Sequence, residues 1–149
     1  MDIQEKLLSD MKLAMKSGDK IRLETVRGLR SQLKNHEIEI GRSLALDEVL
    51  AVLMTAAKQR KESIEQFKNG NRLDRAVEEE NELKIIQEYL PRQMSEEEIS
   101  QLVDLAIKEI SPTSSQDMGK VMGKLMPQVK GRADGKMVQK IVMQKLAAL

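Results

Sequence analysis

Along this chain the hydrophobic positions recur every three or four residues, the period of a helix with one buried face, and the strict alternation of a strand is almost absent. Ile3, Leu7, Leu8, Met11, Ala14 and Met15 form one stripe, predicting a helix from Asp2 to about Ser17 that Ser17-Gly18 ends. Asp19 is placed to cap a second helix, with the stripe Val26, Leu29, Leu33 and Ile40 and a stop at Gly41. A third starts near Asp47, carries Val49, Leu53, Ala56, Ile64 and Phe67, and closes at Asn69-Gly70. Asn71 reads as the cap of a fourth, with Leu73, Ala76, Leu83, Ile86 and Leu90 up to Pro91.

Long helices joined by short turns pack as antiparallel neighbours, so residues 1–94 read as a four-helix bundle-like domain that ends in a hinge, Pro91 to Met94. Ser95 and Glu98 have the spacing of a capping box, opening a fifth helix that runs to about Ile110 and stops at Ser111-Pro112. Two more helical pieces, Ser115 to Val129 with a bend at Pro127 and Asp134 to Ala148, complete a small three-helix domain over residues 95–149. The expected fold is all-α, and no repeat or long linker interrupts it.

Composition narrows the chemistry of the cores. With one phenylalanine, one tyrosine and no tryptophan, they must be built from aliphatic residues and the ten methionines. The lack of cysteine excludes disulfides, thiol chemistry and thiolate-held zinc, and it fits a reducing compartment. The acidic, amphipathic start is unlike a secretory signal and no segment is suited to span a bilayer, so a cytoplasmic protein without a membrane partner is expected, with the mature protein the whole chain.

Formal net charge is +1, but its distribution is uneven. From Ser95 to Asp117 one base, Lys108, faces six acids. From Met118 to Leu149 seven bases (Lys120, Lys124, Lys130, Arg132, Lys136, Lys140, Lys145) stand against Asp134 alone, a net +6.

Catalytic groupings are missing. The single histidine, His36, lies in the stripe of the second helix with no cysteine and no evident partner, and reads as structural. There is no phosphate loop, nucleophile elbow or HExxH pair, so neither a catalytic residue, a metal nor a cofactor is implied. Glu78, Glu79 and Glu80 fan around a helix axis and read as a solvated face. Arg60 falls inside the apolar stripe of the third helix, where a guanidinium must snorkel or find an acid; a cross-helix ion pair with Glu79 or Glu80 is expected.

The segment Asp117 to Met126, DMGKVMGKLM, is the most distinctive. Met118, Val121, Met122, Leu125 and Met126 make an apolar face, with Gly119 and Gly123 one turn apart and Lys120 and Lys124 in a row beside them. A glycine inside a helix costs about 0.5–1 kcal/mol relative to alanine. Two reasons for the pair stand open, close helix packing and a bare approach for a phosphate backbone with the lysines as counter-charges. The following KGRADGK places Lys130, Gly131 and Arg132 in a turn before Asp134, with Lys136 and Lys140 on the outer face of the last helix. A loop opening a helix is a natural anion site.

The stretch DMGKVMGKLMPQVKGRADGK resembles the signature of the GatB/YqeY family, whose free-standing members are matched over nearly the whole chain. LRSQLKNHEIE, LAVLMTAAKQRKESIEQF, the run from Arg72 to Glu82 and EYLPRQMSEEEI also resemble it, without departure from the pattern. The resemblance implies an all-α protein whose C-terminal domain is similar to the tail domain of the GatB subunit of the aspartyl/glutamyl-tRNA amidotransferase, the part associated with tRNA contact. It makes Lys120, Lys124, Lys130, Arg132, Lys136 and Lys140 candidate RNA-binding positions, with Gly119, Gly123 and Gly131 allowing close approach.

With almost no aromatics to stack on unpaired bases, contact would run through phosphates, 2′-hydroxyls and shape, as suits folded tRNA. A non-catalytic tRNA-binding module is therefore expected. The alternative is a protein–protein adaptor for an amidotransferase or an aminoacyl-tRNA synthetase, which Met-rich faces and an acidic fifth helix would suit. A carbon–nitrogen ligase using glutamine as amido-N donor is the activity that family labels attach, although nothing in the sequence is suited to activate glutamine or ATP.

Overall fold

The computed structural model describes residues 2–112 and 115–149, which form seven α-helices and one 3-10 turn, with no strand among the described residues. In chain order these are α1 (Ile3–Ser17), α2 (Lys20–Ile40), α3 (Leu46–Asn69), α4 (Leu73–Gln87), α5 (Glu96–Ile110), the turn Ser115–Asp117, α6 (Met118–Val129) and α7 (Gly135–Ala147). Contacts divide the chain into two compact units, Met1–Pro91 and Arg92–Leu149, so the division falls before the segment Arg92 to Met94 that helical periodicity assigns to the first domain.

Local chemistry sets most helix ends. The Asp2 carboxylate accepts from the Glu5 amide at 2.7 Å, and that of Asp19 from the Arg22 amide at 3.1 Å. Gly18 (φ 76°) and Gly41 (φ 74°) close α1 and α2 in the left-handed region that glycine enters without strain. At the start of α3, Glu48 reaches back to the Ala45 amide at 3.0 Å and grips the Arg42 guanidinium at 2.7 and 3.1 Å. Asn71 does not cap α4. It takes a left-handed φ of 57° inside the turn, and Arg72 occupies the cap position.

The first unit buries Leu7 of α1, Val26, Leu29 and Leu33 of α2, Val49, Leu53, Ala56 and Ala57 of α3, and Ile85 and Ile86 of α4. α3 and α4 share the most extensive packing, followed by the α1–α2 hairpin. Full burial of a side chain such as Leu53 or Ile86 contributes about 1.5–3 kcal/mol. Tyr89, just past α4, adds a polar latch. Its hydroxyl donates to the Asp10 carboxylate on α1, while Lys6 lies 5.0 Å from the ring centroid and Arg22 holds Glu88 at 2.6 and 3.3 Å. The Tyr89 bond, followed by Lys6, holds the Asp10 carboxyl below its ordinary range, and burial with the same bond raises the Tyr89 hydroxyl.

Arg60 finds two acids across the α3–α4 interface, Glu82 at 2.8 Å and Glu79 at 3.4 Å. Glu80, the other expected partner, pairs with Lys68 at 3.1 Å, and Glu78 pairs with Arg75 at 3.4 Å. The three consecutive glutamates therefore take three different partners, as helical fanning requires, with Glu79 the most buried and Glu78 the most exposed. Burial, and then the neighbouring Glu82 charge, raises the Glu79 carboxyl above its ordinary range. Arg60 Nε and Glu79 Oε2 are buried without a well-aligned hydrogen bond, so one guanidinium serves two carboxylates imperfectly.

In the second unit α5, α6 and α7 each pack on the other two. They enclose Ile99, Val103, Ala106, Val121, Leu125, Val129, Ala133, Val138, Val142 and Leu146, a core without one aromatic ring.

The polar contacts of the first unit can be tested one by one. Tyr89→Phe removes a hydrogen bond to a charged acceptor and should cost about 1–2 kcal/mol in chemical denaturation. Because the folded Asp10 pKa is depressed, its contribution is present above the unfolded value near 4 and lost as pH falls through the folded one; the acid limb of the stability profile should shrink in this variant. At the ion cluster, Glu82→Gln should destabilise, whereas Glu79→Gln, which removes a carboxylate that resists ionisation, should be neutral or stabilising at pH 7. Arg60→Ala, leaving both acids uncompensated, should cost roughly 2 kcal/mol, and an unchanged melting temperature would contradict this assignment.

Candidate nucleic-acid interface

The expected RNA-contacting residues fall on three structural features of the second unit. The first is the outer face of α6. Val121, Leu125 and Val129 turn inward, which by helical spacing leaves Gly119, Lys120, Gly123 and Lys124 outside, and all four are exposed. Among the described residues, a Cβ built on Gly119 or Gly123 would meet no atom within 4 Å beyond the helix's own adjoining backbone. Internal helix packing, one of the two reasons open for this glycine pair, is therefore not what the glycines serve within the unit. Lys120 lies 3.8 Å from Asp117, and Lys124 pairs with Glu109 of α5. Exposed pairs of this kind contribute about 0–1 kcal/mol, so a phosphate can displace either carboxylate.

The second feature is α7. Val138, Val142 and Leu146 face the core, and Lys136 and Lys140 are exposed with no ion pair among the described residues. They border a shallow groove of about 320 Å³ shared with Glu96, Asp134 and Gln144, so acids interrupt this basic surface. Lys145 is tied to Asp104 at 2.6 Å.

The third is the turn before α7, where the structure adds contacts that the residue pattern does not show. The residue pattern predicts an outward anion loop, yet the loop is clasped by the segment entering the unit. The Met94 amide donates to the Arg132 carbonyl at 2.8 Å, Gln93 Nε2 to the Gly131 carbonyl at 2.9 Å, and Arg132 Nε to the Arg92 carbonyl at 3.2 Å. Gly131 is buried at φ 78°, a conformation that serves this turn; its small size is not offered to a ligand. The Asp134 carboxylate already accepts from the Lys136 amide at 3.2 Å, filling the helix N-terminus that an anion would use. Lys130 is exposed beside this turn.

Sequence reasoning missed the clasp because it treated Pro91 to Met94 as a hinge. The signal available was the Arg92–Glu98 spacing: Arg92 holds Glu98 at 3.0 and 2.8 Å, which draws the Glu98 carboxyl down to about 2 and joins the segment to α5. Ser95 caps α5 as expected, accepting from the Glu98 amide at 3.1 Å. His36, read as a stripe residue, borders an open groove between α2 and α3 with Gln32, Asn35, Glu39 and Thr55, and its Nδ1 is 3.7 Å from Glu39. Among the described residues no cluster of acids and histidine could hold a metal ion, and no helix is long and apolar enough to cross a membrane.

The three glycines separate these features experimentally. Gly119→Ala and Gly123→Ala, in open space at helical backbone, should each stabilise the protein by about 0.5–1 kcal/mol. Gly131→Ala should destabilise by about 1–2 kcal/mol, since a side chain there must enter the left-handed region. Thermal denaturation of the single variants checks both signs.

The Yqey-like protein family model matches residues 4–146. Curated relatives include three fungal proteins, each named Altered inheritance of mitochondria protein 41, mitochondrial. That of Lachancea thermotolerans is 38% identical over 76% of this chain and 63% of its own length, so the chain spans less than two thirds of that relative. Those of Pyrenophora tritici-repentis and Kluyveromyces lactis are 30% and 35% identical, over 96% and 81% of this chain and 80% and 70% of theirs. The names place these relatives in mitochondria and overturn the expectation of a cytoplasmic protein. That expectation rested on the lack of cysteine, which fits a reducing compartment without telling one such compartment from another. Matched along almost its entire length, the chain belongs to the Yqey-like protein family.

Proposed function

We propose that this protein is a non-catalytic RNA-binding module that contacts folded tRNA through the outer faces of α6 and α7. One observation carries the reading: α6 presents two glycines inside a helix, with nothing over them, beside Lys120 and Lys124. Glycines that weaken a helix and serve no internal contact leave room for an external backbone, and lysines beside them supply its counter-charge. Lys136 and Lys140 extend the positive surface, within a segment of net +6. The resemblance of this segment to the tail domain of an amidotransferase subunit supports the same reading, with the first unit as a bundle-like domain before it. Arg132 and Gly131 are assigned to the clasp and not to RNA. With a single tyrosine and a single phenylalanine in the chain, recognition runs through phosphate, 2′-hydroxyl and shape.

One feature favours an adaptor as the second reading. Met126 is exposed on the α7 side of the glycine row, its Cε 3.9 Å from where a Gly135 Cβ would stand, and a partner helix could rest on glycine and methionine together.

Filter retention of tRNA by the purified protein should weaken steeply with salt. Lys120→Gln with Lys124→Gln, and separately Lys136→Gln with Lys140→Gln, should each flatten the dependence of log K on log salt by about 1.5, near 0.7–0.9 for each lost phosphate contact. Gly119→Ala with Gly123→Ala should give a more stable protein that binds tRNA less tightly. No salt-dependent retention at all, together with a protein partner surviving nuclease treatment, would overturn the RNA reading in favour of the adaptor.

A further inference from the structure

The first unit carries a second charged surface that the α6 and α7 contacts leave unused. Five of its seven arginines lie against carboxylates: Arg22 on Glu88, Arg42 on Glu48, Arg60 on Glu79 and Glu82, Arg72 on Asp74, and Arg75 on Glu78. The two exceptions are neighbours on α2. Arg27 is exposed, Arg30 directs Nη1 to the Met11 sulfur at 3.2 Å, and among the described residues neither has a carboxylate within salt-bridge reach. Lys20 and Lys34 stand seven residues either side of Arg27, also exposed and unpaired among the described residues. A seven-residue step is nearly two helical turns, so Lys20, Arg27 and Lys34 form one row along α2 with about 10.5 Å between successive members, and Arg30 flanks it.

Acids are within sequence reach of the row but do not neutralise it. Glu24 and Glu37 lie three residues from Arg27 and Lys34, a spacing that allows a helical ion pair, yet neither pair forms. Asp2, Glu5 and Glu37 line a groove of about 340 Å³ beside Arg30 and Lys34, and Glu24 stands exposed between Lys20 and Arg27, so acids border the row without forming an ion pair with it among the described residues. In a unit that pairs its other arginines, two neighbouring ones left without an ion pair among the described residues repel each other unless an external anion takes them. Arginine is the side chain whose planar fork grips a phosphate with two parallel bonds.

We infer that the α2 row Lys20, Arg27, Arg30 and Lys34 is a second phosphate-contacting surface for folded RNA, separate from α6 and α7. The inference rests on the RNA reading proposed for the second unit, and its ligand chemistry is the phosphodiester backbone. A straight row of bases about 21 Å long fits a polyanion lying along the helix better than one small anion.

The test uses the full chain and unfractionated tRNA. Arg27→Gln with Lys34→Gln changes two exposed side chains, so the fold should persist, as circular dichroism can verify; Arg27→Lys keeps the charge and should keep most of the affinity. The double variant should bind tRNA roughly ten-fold or more weakly at about 0.1 M salt and flatten the salt dependence by about 1.5. If its affinity and slope match the wild type while the α6 and α7 lysine variants lose binding, the inference fails and the RNA reading stands. If the wild-type protein does not retain tRNA, that reading fails first and this one with it. Vesicles containing phosphatidylserine form the third arm. Loss of vesicle binding in the double variant with tRNA binding intact would overturn the inference and assign the row to a membrane surface.

Discussion

Every helix of this protein has to bury a narrow aliphatic stripe, because the chain has one phenylalanine and one tyrosine, and among the described residues Tyr89 is the single ring buried in a core. Leucine, isoleucine, valine and alanine reach only a few ångströms beyond the backbone, so helices must lie close and nearly side by side to exclude water. The α3–α4 pair and the three mutually packed helices of the second unit satisfy that need. In both units the buried residues recur three and four apart, and among the described residues Thr25 is the one polar side chain fully inside, its hydroxyl bonded to the Ile21 carbonyl at 2.8 Å.

With cores this lean, charged groups take on the tasks of register and closure. Tyr89 with Asp10, and Arg22 with Glu88, fasten the end of α4 to the α1–α2 hairpin. Arg60 bridges α3 and α4 while leaving Glu79 imperfectly satisfied. In the second unit, Arg92 to Met94 perform the equivalent closure against Gly131 and Arg132, using backbone groups that would otherwise need water. What is left after these internal demands is informative: Lys120 and Lys124 of α6 make only exposed pairs, and Lys136 and Lys140 of α7 and Lys20, Arg27 and Lys34 of α2 make no ion pair among the described residues.

The candidate surface was only partly legible beforehand. Lys120, Lys124, Lys136 and Lys140 could be placed on outer faces because helical spacing fixes direction once the buried stripe is known. The same residue pattern did not show that Gly131 and Arg132 are held by the segment entering the unit. Their roles depend on Gln93 and Met94, some forty positions earlier, and no periodicity connects a loop to the segment that will cover it. Glu82 was missed for a related reason: Glu79 and Glu82 are three residues apart and both adjoin the stripe of α4, but which of them meets Arg60 depends on how α3 and α4 are rotated against each other.

The sequence by itself determined the helical class, the order and approximate ends of the helices, and most of the residues that point inward, because these follow from local φ/ψ preference, capping chemistry and a 3.6-residue period. Only the tertiary structure decided where the division between units falls, that Glu80 turns to Lys68 and not to Arg60, that the loop before α7 is clasped, and that Arg27 and Arg30 form no ion pair among the described residues. Those outcomes depend on contacts between residues far apart in the chain. A charge or a carbonyl acquires its partner only when packing has brought a second element within hydrogen-bonding reach, and the order of amino acids along one helix holds no record of that distance.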